Sequence, residues 1–358
     1  MKKVACLMSG GVDSSVACAI LKEQGFDVIG FTLKLWNDGS KCCDTKDIYD
    51  ARRIADRLNI PHYLINMEKE FKENVIDYFV SEYTKGRTPN PCVICNQKIK
   101  LGKFMERICN SALPDGQSGI DFIATGHYAQ VCHTNNRYIL KKSKALLKDQ
   151  SYFLAQLSQD SLAKVIFPLA GLKKMEVKQK AIELNLNLEN KKESQEICFI
   201  PDNDHISFIG KYKQIIPGEI TDKTGKVLGL HPGISKYTIG QRKGIKLSAK
   251  NPLYVIEINA DKNRIIVGEN DDLYIKDMLI DNLNWISVEN PVLPMSVSVK
   301  IRYNQIPVEA ELLASEKETD VIVKFDSPQR AVTPGQLAVF YKEDTVIGSG
   351  WIKKTKRI

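Results

Sequence analysis

Short apolar runs that alternate with amphipathic stretches over the first half of the chain point to a parallel α/β sheet. Val4 to Met8 reads as a strand and Ser14 to Gln24 as the helix behind it. Phe26 to Leu33 predicts a second strand. Asp47 to Leu58 predicts a helix with Ile48, Ala51, Ile54, Ala55 and Leu58 at helical spacing, and His62 to Asn66 a third strand. A further helix is expected from about Glu73 to Tyr83. Ile120 to Ala124 is strand-like and stops sharply at Thr125-Gly126-His127, and the ends of such strands are where doubly wound sheets bind ligands.

Beyond about residue 205 the texture changes to short alternating segments punctuated by Pro217-Gly218, Thr224-Gly225, Pro232-Gly233 and Pro334-Gly335, which is β territory. Met295, Val297, Val299 and Ile301 alternate with Ser296, Ser298, Lys300 and Arg302, and Val321 to Phe325 and Leu337 to Tyr341 look similar. The expected organisation is an α/β first part, residues 1–205, with a doubly wound parallel sheet. A small, mostly β central part, 206–270, and a C-terminal β-barrel, 271–358, would follow. A chain of 358 residues, 43% hydrophobic and 26% charged, is long enough for two or three cored domains and is neither disordered nor fibrous. It has no run near the roughly 18 to 20 apolar residues that span a bilayer and no signal-like start, so a cytoplasmic location is expected.

Charge narrows the partners. The net charge of +8 favours a polyanion, and Lys223 to Lys250 holds six lysines, one arginine and five glycines with no acidic residue. The chain also ends Lys353-Lys354-Thr355-Lys356-Arg357. Such runs suit a phosphate backbone, although an ordinary solvated basic face has the same composition.

Ser9-Gly10-Gly11-Val12-Asp13-Ser14-Ser15 follows the first strand and opens the first helix. Glycines let the backbone turn tightly against a ligand, successive N–H groups form an anion nest, and the helix start adds partial positive charge. The heptad therefore reads as a phosphate or pyrophosphate site. It lacks the Lys-Ser/Thr of a Walker loop and the spacing of a dinucleotide-binding loop.

The nine cysteines are too irregularly placed in a chain of this length for a disulfide framework, which favours reduced thiols with redox, metal or catalytic roles. Pro89-Asn90-Pro91-Cys92-Val93-Ile94-Cys95-Asn96 sets two thiols three apart, able to face one metal or exchange one disulfide. Cys198 is a third candidate. No second pair or His pair at comparable spacing completes a zinc site. Cys6 and Cys18 fall in apolar patterns and read as core, Cys42-Cys43 could relay sulfur although adjacent cysteines in a polar loop are more often incidental, and Trp36, Tyr128 and Tyr152 could stack on a base or serve core packing or loop anchoring.

Ser9 to Ser15 resembles the PP-loop of the ATP pyrophosphatases, which by itself leaves amidating synthetases, argininosuccinate synthetase-like enzymes and tRNA sulfur transferases open. Further blocks narrow the choice: Gly86-Arg87-Thr88-Pro89-Asn90-Pro91, Cys95-Asn96, Ala124-Thr125-Gly126-His127-Tyr128, Lys148-Asp149-Gln150-Ser151-Tyr152-Phe153, Ile197-Cys198-Phe199-Ile200, Gly240-Gln241-Arg242-Lys243-Gly244 and Thr333-Pro334-Gly335-Gln336. Together and in this order they resemble the tRNA-specific 2-thiouridylases over essentially the whole chain.

That resemblance implies ATP- and Mg²⁺-dependent 2-thiolation of the wobble uridine of tRNAs for Lys, Glu and Gln, with release of AMP and pyrophosphate. It implies ATP contacts from Leu7, Met8, Ser9, Gly10, Gly11, Val12, Asp13 and Ser14, with Leu33 near the adenine and Gly126 against the nucleotide. His127, Lys148, Asp149, Gln150, Arg302, Tyr303 and Gln336 would touch tRNA, and Asn90, Pro91 and Cys92 would face the target base. Cys198 would carry the persulfide, supplied by a cysteine desulfurase or a relay protein, and Cys95 would act as nucleophile and form a Cys95–Cys198 disulfide. Some members have Asp at the position of Cys92. Three thiols here leave a second route open, a [4Fe–4S] cluster on Cys92, Cys95 and Cys198; a non-catalytic RNA-binding module with a structural cysteine-bound metal is the remaining alternative.

Overall fold

A computed structural model describes residues 1–36, 45–110, 119–188, 197–200 and 204–357. Cys42 and Cys43 lie outside the described residues. By internal contacts the chain forms two compact units, one of residues 1–75, 92–203 and 344–346 and one of residues 76–91, 204–343 and 347–358.

The first unit is built on a five-stranded parallel sheet. Its strands are β1 (Lys3–Leu7), β2 (Asp27–Lys34), β3 (His62–Asn66), β4 (Phe122–Ala124) and β7 (Val165–Ile166), in the order β3-β2-β1-β4-β7. Four of the five residues of β1 are buried, as expected for a central parallel strand covered on both faces. Helix α1 (Val12–Glu23) packs Val16, Ala17, Ile20 and Leu21 into the core, and α2 (Thr45–Arg57) buries Ala51, Ile54 and Ala55, the apolar face legible in the sequence. Cys6 and Cys18 are fully buried in that core.

Between β4 and β7 runs a hairpin not anticipated from the sequence. It consists of β5 (Ala129–Thr134) and β6 (Arg137–Lys142), joined by Asn135-Asn136, both at positive φ, which is the backbone a tight hairpin turn demands. Thr345 pairs with Lys141 alongside it.

The expected helix over 73–83 is longer and interrupted. It is helical over Glu68–Phe71, widens to a π-turn over Lys72–Ile76 and resumes over Asp77–Thr84. The last stretch belongs to the second unit, where Phe79 packs edge-to-face on Phe208 at 6.2 Å and Tyr83 lies 5.1 Å from the His205 ring.

The second unit holds two β bodies. The central one pairs β8 (Gly218–Thr221), β9 (Val227–His231), β10 (Tyr254–Asn259) and β11 (Arg264–Gly268) in the order β10-β11-β8-β9. Ile220, Val255, Ile265 and Val267 form its core. The other runs through β12 (Tyr274–Trp285), β13 (Met295–Lys300), β14 (Val308–Ala314), β15 (Val321–Arg330), β16 (Leu337–Lys342) and β17 (Thr345–Arg357). Its order is β12-β15-β14-β13-β16-β17, and β12 pairs with β17, so the barrel closes. Closure removes the exposed edges of an open sheet. Val297 and Val299 point inward while Ser296 stays exposed, as the alternation predicts. Leu337 to Tyr341 differs, being buried on both faces.

Candidate functional site

The chain leaves β1 through Met8, whose N–H donates to Phe31 O at 2.8 Å and whose carbonyl accepts from Thr32 Oγ1 at 2.9 Å. It turns at Gly10, where φ is +69° and a Cβ would fall 2.6 Å from the Asp47 carbonyl oxygen; only glycine fits there. Ser14 then ties the loop together, accepting from Ser9 N–H at 3.2 Å and donating to Gly11 O at 3.1 Å, while Ser15 Oγ donates to the same carbonyl at 2.8 Å. No side chain caps α1 at Gly11. The helix start, with its partial positive charge, is therefore not claimed by a capping side chain.

Two further segments close on this loop. Gly126, just past β4, lies so near that a Cβ there would sit 2.6 Å from Ser14 N and 2.7 Å from Asp13 C. The Tyr128 hydroxyl donates to Asp13 Oδ1 at 2.8 Å, and Lys174 Nζ lies 2.7 Å from both Asp13 oxygens. Leu7, Met8, Val12 and Leu33 are buried.

The thiols form a second group in the same unit. A helical turn over Pro91–Ile94 runs into a π-helix over Cys95–Lys103, and the wider turn brings residues five apart onto one face. It sets Lys100 beside Cys95. Lys100 Nζ is anchored by Asn96 Oδ1 at 3.1 Å, and Asn96 Nδ2 in turn donates to Phe153 O at 3.2 Å. Cys198 sits in a turn fixed by Phe199, which packs edge-to-face on Phe71 at 5.6 Å. All three cysteines are thiols.

Burial pushes the Cys95 thiol up to about 12, while the nearby Lys100 charge pulls it down and Cys198 and Cys92 push it up. Cys92 is pushed to about 11 by desolvation and by Cys198, again opposed by Lys100. Its side chain nonetheless reaches solvent; water solvates a thiolate there, so the upward push on Cys92 is the weaker of the two. The structure thus brings Cys92, Cys95 and Cys198 within electrostatic reach of one another, and Cys92 and Cys95 within reach of one lysine.

Among the described residues no three His, Cys, Asp or Glu side chains converge to hold a metal ion. As placed, the thiols do not fit a [4Fe–4S] cluster. Mg²⁺ asks for less, since one or two carboxylates and the substrate's phosphates suffice. The loop's carboxylate is Asp13, held here by Lys174 and Tyr128.

His127 Nδ1 pairs with Thr125 Oγ1 at 2.7 Å. Burial, then the Lys100 charge, pushes the imidazole down to about 3, so it is neutral at physiological pH. Asp149 is turned inward: it accepts from Ser143 N at 3.0 Å, Ser151 N at 3.3 Å and Ser151 Oγ at 2.7 Å. Gln150 Oε1 accepts from Tyr128 N at 3.0 Å. Lys148 is half-buried at the end of a short turn whose Leu146 and Leu147 are exposed. Tyr128 and Tyr152 are buried in the core, the packing role rather than base stacking.

In the second unit, Gln336 Nε2 donates to the carbonyls of Thr88 (2.9 Å) and Pro89 (3.3 Å), and Thr88 N donates to Pro334 O at 2.9 Å. These bonds hold the loop that leads to Asn90 and Pro91. Beside it lies a cavity of about 360 Å³ lined by Thr88, Thr238, Gly240, Arg302, Arg330, Thr333 and Gln336. Arg302 donates to the Ala331 carbonyl, and Arg330 is anchored by Asn270 Oδ1 at 3.1 Å and by the Tyr254 ring at 5.3 Å. Tyr303 lies under Lys300, 5.3 Å away. Within the basic run, Lys223 is paired with Asp272 at 2.6 Å, and Arg242, Lys246 and Lys250 line a second cavity of about 300 Å³.

Sequence reasoning missed Lys100, Lys174 and Arg330. Lys100 is aligned with Cys95 by a π-turn that leaves no sequence signature, and Lys174 and Arg330 lie outside every block that marked the site.

A parallel sheet with a glycine loop at the end of its first strand, followed by a β body and a closed barrel, defines a nucleotide-binding α/β protein with β appendages. The family model described as tRNA methyl transferase HUP domain matches residues 2–202. Those described as tRNA methyl transferase PRC-barrel domain and Aminomethyltransferase beta-barrel domain match residues 206–269 and 275–352. The chain is 46% identical to tRNA-specific 2-thiouridylase MnmA 2 of Clostridium tetani over 98% of this chain and 99% of that protein. It is 45% identical to tRNA-specific 2-thiouridylase MnmA of Lachnoclostridium phytofermentans over 99% and 100%. The chain belongs to the tRNA-specific 2-thiouridylase (MnmA) family.

Proposed function

We propose that this protein is an ATP-dependent tRNA 2-thiouridylase acting in the cytoplasm on the wobble uridine of tRNAs for Lys, Glu and Gln. The observation that carries the reading is the electrostatic proximity of Cys198 to Cys92 and Cys95, with the Lys100 charge acting on the latter two, in the unit that also holds the 9–15 loop.

Leu7 to Ser14, with Leu33 and Gly126, hold ATP, and the position-2 oxygen of the uridine attacks its α-phosphorus, releasing pyrophosphate. The terminal sulfur of a Cys198 persulfide, loaded by a desulfurase or relay protein, then bonds to C2 and expels AMP. Cys95 thiolate attacks Cys198 Sγ, so the S–S bond breaks toward the base. The product is 2-thiouridine and a Cys95–Cys198 disulfide, which a two-electron thiol reductant must reopen. Lys100 favours the Cys92 and Cys95 thiolates against the burial that opposes them. His127, Lys148, Asp149, Gln150, Arg302, Tyr303 and Gln336 contact or shape the surface for tRNA, and Asn90, Pro91 and Cys92 face the base, which must leave its stack to react. The division of labour follows residues 1–205 for chemistry and 206–270 with 271–358 for the tRNA backbone.

Nucleoside mass spectrometry of unmodified tRNA incubated anaerobically with ATP, Mg²⁺, a cysteine desulfurase with cysteine as the persulfide donor, a thiol reductant and iron-free protein tests this. 2-Thiouridine is expected with wild type and is expected to be lost in Cys198→Ser and Cys95→Ser. Product only after iron reconstitution overturns the persulfide route. No product from folded protein with a competent donor, or full product from Cys198→Ser, overturns the thiolation chemistry proposed here.

A further inference from the structure

Three segments far apart in sequence converge on one carboxylate. Asp13 lies in the first turn of α1, Tyr128 four residues past β4, and Lys174 at the start of the helix Lys174–Glu183. The ammonium is 2.7 Å from both carboxylate oxygens, the tyrosine hydroxyl 2.8 Å from one of them, and the ammonium also faces the Tyr128 ring at 5.8 Å. The lysine is placed by packing: Val177 and Ala181 of its helix share a core with Val16 and Ile20 of α1.

Asp13 stands beside the backbone N–H groups that suit a polyphosphate. A bare carboxylate there would repel that ligand, whereas a partly buried ammonium attracts it. The lysine side chain is only 15% exposed, so its charge acts with less screening than a surface lysine's. It also sits on a flexible four-carbon stem that can change partner while its helix stays put.

We propose that Lys174 is a cation of the nucleotide site, resting on Asp13 when the loop is empty and passing to the ATP polyphosphate when the loop is filled. Asp13 keeps its Tyr128 hydrogen bond throughout, and no covalent bond changes. The inference rests on the reading of the 9–15 loop as an ATP site and adds to it a residue from a different helix. It makes Lys174 a binding residue whose loss weakens affinity for phosphate-bearing ligands.

Calorimetric titration with ATP and, separately, inorganic pyrophosphate, without tRNA, tests the proposal on wild type, Lys174→Arg, Lys174→Met and the double variant Asp13→Asn/Lys174→Met. Wild type is expected to bind, Lys174→Arg to stay within about threefold, and both methionine variants to bind at least about tenfold more weakly. Should Lys174→Met lose its fold, the double variant, which leaves no unpaired carboxylate, carries the comparison. Recovery of the double variant to within about threefold of wild type means that the lysine only neutralises Asp13, and the proposal falls; unchanged affinity in Lys174→Met has the same consequence. Wild type that binds neither ligand defeats the ATP-site reading itself, and the proposal with it.

Discussion

Gly126→Ala is expected to damage the nucleotide loop from a position outside it. A methyl group at residue 126 would stand 2.6 Å from Ser14 N, 2.7 Å from Asp13 C and 3.0 Å from Asp13 O, all backbone atoms. Ordinary contact begins near 3.4 Å, so the start of α1 and the Thr125–His127 turn must separate by about 0.8 Å, and neither is the end of a flexible side chain. Forcing extra volume into such a contact costs about 1–3 kcal/mol. On the proposed reading of the loop, displacing the N–H groups at the start of α1 by most of an ångström is expected to weaken ATP binding by about tenfold to a hundredfold. Gly171→Ala is the control, because nothing lies within 4 Å of a Cβ there. ATP titration and thermal unfolding of the two variants beside wild type read both effects. Wild-type affinity and stability in Gly126→Ala would show that the loop and the β4 end are not packed as described.

Other expectations follow from the same geometry. His127 is held neutral down to about pH 3, against an ordinary value of 6.5, so the unfolded chain takes up a proton there first and stability is lost as pH falls from 6.5 towards 3. Unfolding midpoints of His127→Gln between pH 7 and pH 4 are expected to fall less steeply than wild type, and parallel curves would refute this. Asp149→Ala leaves Ser143 N and Ser151 N without their buried acceptor and is expected to cost about 2–4 kcal/mol in a urea titration; Asp149→Asn, which keeps an acceptor oxygen, is expected to cost less. Arg302→Ala is expected to weaken tRNA binding and to lower the slope of log affinity against log salt by about 1. An unchanged slope would remove Arg302 from the phosphate-contacting set.

Some of this architecture was legible before any coordinates. The parallel order follows from apolar runs of strand length separated by helices with faces such as Ala51, Ile54 and Ala55. The heptad from Ser9 to Ser15 reads as a tight turn at a strand end, and only glycine tolerates φ of +69° at Gly10 with Asp47 O so near. Where one face meets solvent, as at Val297 and Val299, the alternation appears directly in the residues. Leu337 to Tyr341 is buried on both faces, and its two-sided burial depends on neighbours that the strand's own residues do not name.

What the sequence by itself determined is local: where strands start and stop, where glycine lets the chain turn, which helix faces are apolar. The tertiary structure decided which charges face those groups. Cys95 and Lys100 meet because the helix widens to a π-turn, Asp13 meets Lys174 because two helices share a core, and Gln336 grips the 88–89 carbonyls because the second unit packs its turn against them. Periodicity along a chain reports which side of an element is buried, whereas the electrostatics of a site depend on pairs whose separation only the packed chain sets.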